Sequence, residues 1–202
     1  MKDFILKSIS FVFHPLIMPL LGVLFYFSKT PRFIPDPVMK AKVFSIVILT
    51  IILPVLLFFL LKTINKVDTI YLKSTRERLI PLLINCIIII LILLRVLPPN
   101  EILELYYFFL GILCSTLACF ILAVFKIKAS IHMIAASGFF MFAVALGVHY
   151  KININGTIAL MMIILGAIAT SRLHLNAHTN QELVIGMFTG FFPQFIFLNY
   201  WL

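Results

Sequence analysis

The pattern that most constrains this chain is a succession of seven apolar runs, each close to the length of a membrane crossing and set apart by short polar breaks. The runs cover residues 11–28, 43–61, 79–97, 102–125, 131–148, 154–170 and 183–202. A crossing helix needs about 20 mostly apolar residues. Hydrocarbon offers no partner to an open backbone amide, so runs of this kind fold as helices. Composition supports the same solvent. Hydrophobic residues make up 63% of the chain and charged ones 11%, with a mean hydropathy of +1.17; soluble domains carry about 25% charge. The expected fold is all-α, a polytopic transmembrane helical bundle of six or seven spans, with residues 1–202 as a single domain. The first run is short and contains Pro15 and Pro19, which points to a kinked, tilted or re-entrant segment. Lys2 and Lys7 ahead of that run imitate a secretory signal. His14 and the two prolines interrupt it and no small-residue cleavage site follows, so it reads as a retained first segment.

The formal charge is +9, from sixteen Lys and Arg against seven acids. These cations fall in the breaks, as membrane flanks do. They favour anionic headgroups and phosphate as partners. No basic stripe extends beyond a loop, which argues against nucleic acid. Cys86, Cys114 and Cys119 lie inside apolar runs and read as small buried hydrophobes. The acids and histidines form no metal-ligand pattern, so neither metal nor cofactor is expected.

If every run crosses, the breaks at residues 62–78, 126–130 and 171–182 share one face with the N-terminus. They hold most of the reactive side chains. In the last, His178 and Glu182 are four apart and would share a helical face. A carboxylate beside an imidazole fixes its tautomer and keeps the other nitrogen basic, which prepares a nucleophile. Arg172 offers a planar fork of donors to phosphate oxygens, and Ser171 one hydroxyl more. In the second break Lys128, Ser130 and His132 precede a span. Ser130 is a donor at a helix N-terminus, where anions are favoured, and His132 a candidate general acid. In the first break Lys73, Arg76 and Arg78 form a cationic group. Pro81 is placed in the first turn of the next helix, where proline is tolerated. His14, among prolines, reads as structural, and His149, beside Tyr150 and Lys151, belongs to the opposite boundary. Taken singly, each break also fits an ordinary solvated flank.

These residues resemble the three signatures of the type 2 phosphatidic acid phosphatase superfamily. Ser171-Arg172, five residues, His178, three residues and Glu182 match the third, Ser-Arg-x5-His-x3-Asp, with Glu for Asp. Ala129-Ser130-Ile131-His132 is similar to the second, Pro-Ser-Gly-His, with Ser and His kept. Lys73 and Ile80-Pro81 match the first, Lys-x6-Arg-Pro, without its arginine; Arg76 or Arg78 is the candidate replacement. The order is the family's. Two apolar runs between the first and second signatures are a departure, since family members commonly have six spans. The resemblance implies a membrane-embedded lipid phosphatase working without a metal. His178 would attack phosphorus and form a phosphohistidine, Glu182 would orient it, and His132 would protonate the leaving group. Lys73, Ser130, Ser171 and Arg172 would hold the phosphoryl oxygens, with Arg76 or Arg78. The substrate would be a lipid phosphate or pyrophosphate. The resemblance points to a bacterial inner membrane with the site facing the periplasm, a side that the balance of cations leaves open. The alternative is a non-catalytic lipid-binding or transport protein of the same fold. Oligomeric state is not legible.

Overall fold

The computed structural model describes residues 2–66 and 74–202. Within them the chain is helical throughout. The helices are α1 (Lys2–Val12), α2 (Met18–Lys29), α3 (Asp36–Val47), α4 (Leu53–Thr63), α5 (Thr75–Arg95), α6 (Leu103–Val124), α7 (Ile131–His149), α8 (Asn155–His174) and α9 (Asn180–Phe197). A π turn at Ile48–Ile52 joins α3 and α4 into one rod, Asp36–Thr63. Pro54 lies just beyond this turn and has no N–H to continue a regular ladder. The extra residue per turn accommodates it. Among the described residues, six helices are long and apolar enough to cross a membrane: this rod, α5, α6, α7, α8 and α9 with its final turn. The chain is a polytopic helical membrane protein.

The expected first span is not one helix. Residues 11–28 divide into the end of α1, a turn through His14, Pro15 and Leu16, and the 12-residue α2. Pro15 and Pro19 each lack an amide hydrogen, and Pro19 is accepted in the first turn of α2, where no internal partner is needed. At about 1.5 Å per residue α2 covers only ~18 Å. The segment nevertheless reaches both ends of α7. His14 meets His132 at one end, and Thr30 meets Tyr150 at the other. The N-terminus forms α1, which lies along α8 with Leu6 buried and Phe4 and Phe11 exposed.

α7 is the central helix. Two thirds of its apolar stretch (67%) is buried, against 11% for the Asp36–Thr63 rod, which therefore faces lipid. It packs against α2, α6, α8 and α9. The approach of α9 is closest because Gly186 and Gly190 lie against the α7 backbone. A Cβ on Gly186 would meet the Ser130 carbonyl oxygen at 2.7 Å, and one on Gly190 would run into that of Ile134. Small residues one turn apart let membrane helices approach to backbone contact. Ser137 adds a hydrogen bond across the seam, its hydroxyl donating to the Met187 carbonyl at 2.8 Å.

Helix ends differ from the apolar runs in ways that matter to the site. α5 begins at Thr75, capped by Ser74, whose hydroxyl accepts from the Glu77 amide. Pro81 is thus the seventh residue of the helix and not in its first turn. α8 continues to His174, so Ser171 and Arg172 are helical residues of its last turn.

Candidate active site

At one end of the bundle, five helix termini and the turn before α2 converge. The start of α5 supplies Arg78, whose guanidinium is buried and donates from Nη1 to the Ala129 carbonyl at 2.8 Å. Arg76, two residues earlier, points outward and is exposed. Of the two candidate arginines, only Arg78 joins the group. Lys73 lies outside the described residues. The break before α7 supplies Lys128, which reaches across to the Ala177 carbonyl at 2.8 Å and lies 3.9 Å from Glu182. Its amine is held below its ordinary pKa by burial, while the Glu182 carboxylate opposes that shift. The Ser130 amide donates to the Glu182 carbonyl at 3.1 Å, fastening the start of α7 to the start of α9.

His178 is the residue before the N-cap of α9, not a helical residue as its spacing to Glu182 suggested. Contact with Glu182 arises from a capping box. The Thr179 hydroxyl accepts from the Glu182 amide, and the Glu182 carboxylate accepts from the Thr179 amide. Oε2 of that carboxylate also accepts from His178 Nδ1 at 2.7 Å. A carboxylate only accepts, so the proton sits on Nδ1 and Nε2 keeps its lone pair. The imidazole side chain is 3% exposed. Burial pushes its pKa down from 6.5 to about 4, against the hydrogen bond it donates to Glu182, which raises it. Arg78 and Lys128 are close enough to press it down further. At neutral pH the ring is an uncharged base facing fixed cations.

His132, in the first turn of α7, is within electrostatic reach of His178 and of Arg172. Its Nε2–H donates to the Ser10 carbonyl at 3.1 Å, which leaves Nδ1 as the nitrogen free to exchange a proton. Ser130 is wholly buried, and its hydroxyl has no hydrogen-bond partner among the described residues. An orphaned buried hydroxyl calls for a ligand or an ordered water. Arg172 is buried and donates from Nη1 to Ser10 Oγ at 3.2 Å. The Ser171 hydroxyl is engaged with α1. It donates to the Leu6 carbonyl at 2.6 Å and therefore accepts from Ser10 Oγ at 2.7 Å.

Two site residues escaped the sequence reading. Ser10 connects α1 to His132, Ser171 and Arg172. His14, expected to be structural, places its ring edge-on to His132 with centroids 5.6 Å apart. The signal for Ser10 is absent, since its bond to His132 is made by backbone. For His14 a signal exists: an ionisable side chain inside an apolar run is functional more often than not.

At the opposite end a second polar cluster forms around Glu104, which is 1% exposed. It accepts from Tyr26, Tyr150 and Arg32, and His149 lies 3.5 Å away. Every donor converges on one carboxylate, which ties α2, α6 and α7 together and leaves little unmet polarity.

No family model, curated protein or solved structure matches the chain.

Proposed function

We propose that this protein is a lipid phosphate phosphatase that transfers the phosphoryl group through His178. The observation that carries the reading is the 2.7 Å contact of His178 Nδ1 with Glu182, with Arg78, Lys128, Arg172 and the unpartnered Ser130 hydroxyl gathered at the same end of the bundle. In the first step Nε2 of His178 attacks phosphorus and the bond to the lipid oxygen breaks. Protonated His132 gives that oxygen a proton. Glu182 stabilises the positive charge that develops on the His178 ring. In the second step neutral His132 takes a proton from water as its oxygen attacks phosphorus. The P–N bond breaks, orthophosphate leaves and His178 regains its lone pair. The cations stabilise charge on the equatorial oxygens, the main contribution in phosphoryl transfer.

A lipid substrate is supported by what lies below the site. α2 and α8 both pack on α7. Between them runs a lateral groove of about 430 Å³, floored by Phe139 and flanked by Phe13, Leu21, Phe25, Leu160 and Ile164. Its lining runs from Phe13, next to His14 in the chain, to Lys29 and Thr157 towards the opposite end. A hydrocarbon tail in this groove would hang from a phosphate held at the headgroup level. The inner membrane, with the site open to the periplasm, is the setting we favour. Phosphate release from a panel of polyprenyl, glycerophospholipid and lipid A phosphates, by purified protein in detergent with EDTA, is the test. Turnover of at least one substrate in EDTA is expected. Binding of those lipids without release would instead identify a non-catalytic lipid-binding protein.

A further inference from the structure

The turn between α1 and α2 brings a second imidazole against the proton-donating one. His14 and His132 meet edge to face, with ring centroids 5.6 Å apart and planes at 78°. The Leu16 amide donates to His14 Nδ1 at 3.3 Å. A nitrogen that accepts carries no proton, so neutral His14 carries its proton on Nε2. Among the described residues that Nε2–H has no hydrogen-bond acceptor, and the Arg172 guanidinium is within electrostatic reach of the same ring. The position is fixed by the backbone. Pro15 and Pro19 end one helix and start the next, so the ring stands on a short turn rather than on a helical face.

We propose that His14 is a third working histidine of this site, donating its Nε2–H to a bound phosphoryl group from the side of His132. The inference rests on the phosphatase reading and adds to it a residue outside the three signatures. His132 exchanges its proton through Nδ1, because Nε2 is held by Ser10. His14 exchanges none. It remains neutral and supplies a fixed donor where charge builds on the phosphoryl or leaving oxygen, a contribution of the oxyanion-hole kind.

The two nitrogens of His14 can be tested separately. His14→Asn keeps an acceptor near the position of Nδ1 for the Leu16 amide and removes the distal donor. His14→Gln keeps a donor near the position of Nε2 and removes the acceptor. His14→Ala removes both. Each full-length variant is purified in detergent, checked for monodispersity and thermal midpoint, and assayed for kcat and KM on one lipid phosphate. In parallel, orthophosphate binding is measured by titration calorimetry. The expected pattern is a fall in kcat/KM of about 10²-fold for Asn and Ala, the scale of losing one charge-stabilising donor, with substantial retention by Gln. Retention by Asn with loss by Gln would make His14 a cap of its own turn and overturn the proposal. All three variants within twofold of the wild type would overturn it equally. If the wild-type protein turns over no lipid phosphate, the phosphatase reading falls by itself. The orthophosphate titration then decides His14 alone: weaker binding with Asn and Ala but not Gln sustains the donor role, and unchanged binding removes it.

Discussion

His178 and His132 have their tautomers set by different acceptors, a carboxylate for one and a backbone carbonyl for the other. The carboxylate can stabilise a full positive charge on its ring and the carbonyl much less, which suits one ring to be nucleophile and the other to give up a proton. His178→Ala should lower phosphate release by about 10³-fold or more, the scale of losing a nucleophile, with the thermal midpoint little changed. A variant within tenfold of the wild type would remove His178 from that role. Acid should act on the same residue. The unfolded chain titrates His178 near 6.5 and the folded chain near 4, so between those values the unfolded state binds more protons. Stability should therefore be full above about pH 6.5 and decline as pH falls towards 4. His178→Gln should flatten that decline in pH-resolved thermal unfolding. Arg78 and Arg76 should separate clearly. Arg78→Ala is expected to cost about 10²-fold in kcat/KM, as for other lost charge stabilisers. Exposed Arg76→Ala should stay within twofold, and equal effects would reduce this loop to a membrane flank.

The seam between α7 and α9 decides whether these residues meet. Gly186 lies against Ser130, and Gly190 against Ile134 and Ser137, so any added carbon must move backbone rather than a flexible side chain. Gly190→Ala should lower stability by about 1–3 kcal/mol, as overpacking does, and should reduce activity by tilting α9 away from Ser130. Thermal unfolding in detergent and phosphate release on the same sample would check both. A variant as stable and active as the wild type would mean the seam is more compliant than this contact implies. At this scale much was legible. Runs of Ile, Leu and Phe located the six long helices, because lipid demands long apolar stretches and helical backbone. Their ends were less so. Ser171 and Arg172 looked like loop residues, yet a hydrophilic side chain can continue a helix once its donors find acceptors on α1, the Leu6 carbonyl for one and the Ser10 hydroxyl for the other. The His178–Glu182 spacing signalled contact correctly but for the wrong geometry, since a capping box and a helical turn bring the same two positions together. The broken first segment could be read only as far as its prolines. That it delivers Ser10 and His14 to His132 depends on packing against α7 and α8, which no local pattern encodes.

Across the whole molecule, the candidate site and an anchoring cluster occupy opposite ends. The candidate site lies at the start of α7, and the Glu104 cluster ties its far end to α2 and α6. Glu104→Leu should therefore destabilise the bundle by about 1–3 kcal/mol, the penalty for buried donors left without an acceptor. In the folded fraction, kcat/KM should stay within twofold of the wild type. A selective loss of activity at unchanged stability would show that the two ends communicate. The contacts of α1 carry a different kind of consequence. Leu6 holds Ser171, and Ser10 holds His132, through main-chain oxygens that every amino acid possesses. Another apolar side chain can replace buried Leu6 without touching the bond its carbonyl makes. Drift along this helix would then leave the machinery running while erasing its trace, so that counting invariant letters among descendants would overlook a strand of support that a deletion would expose at once.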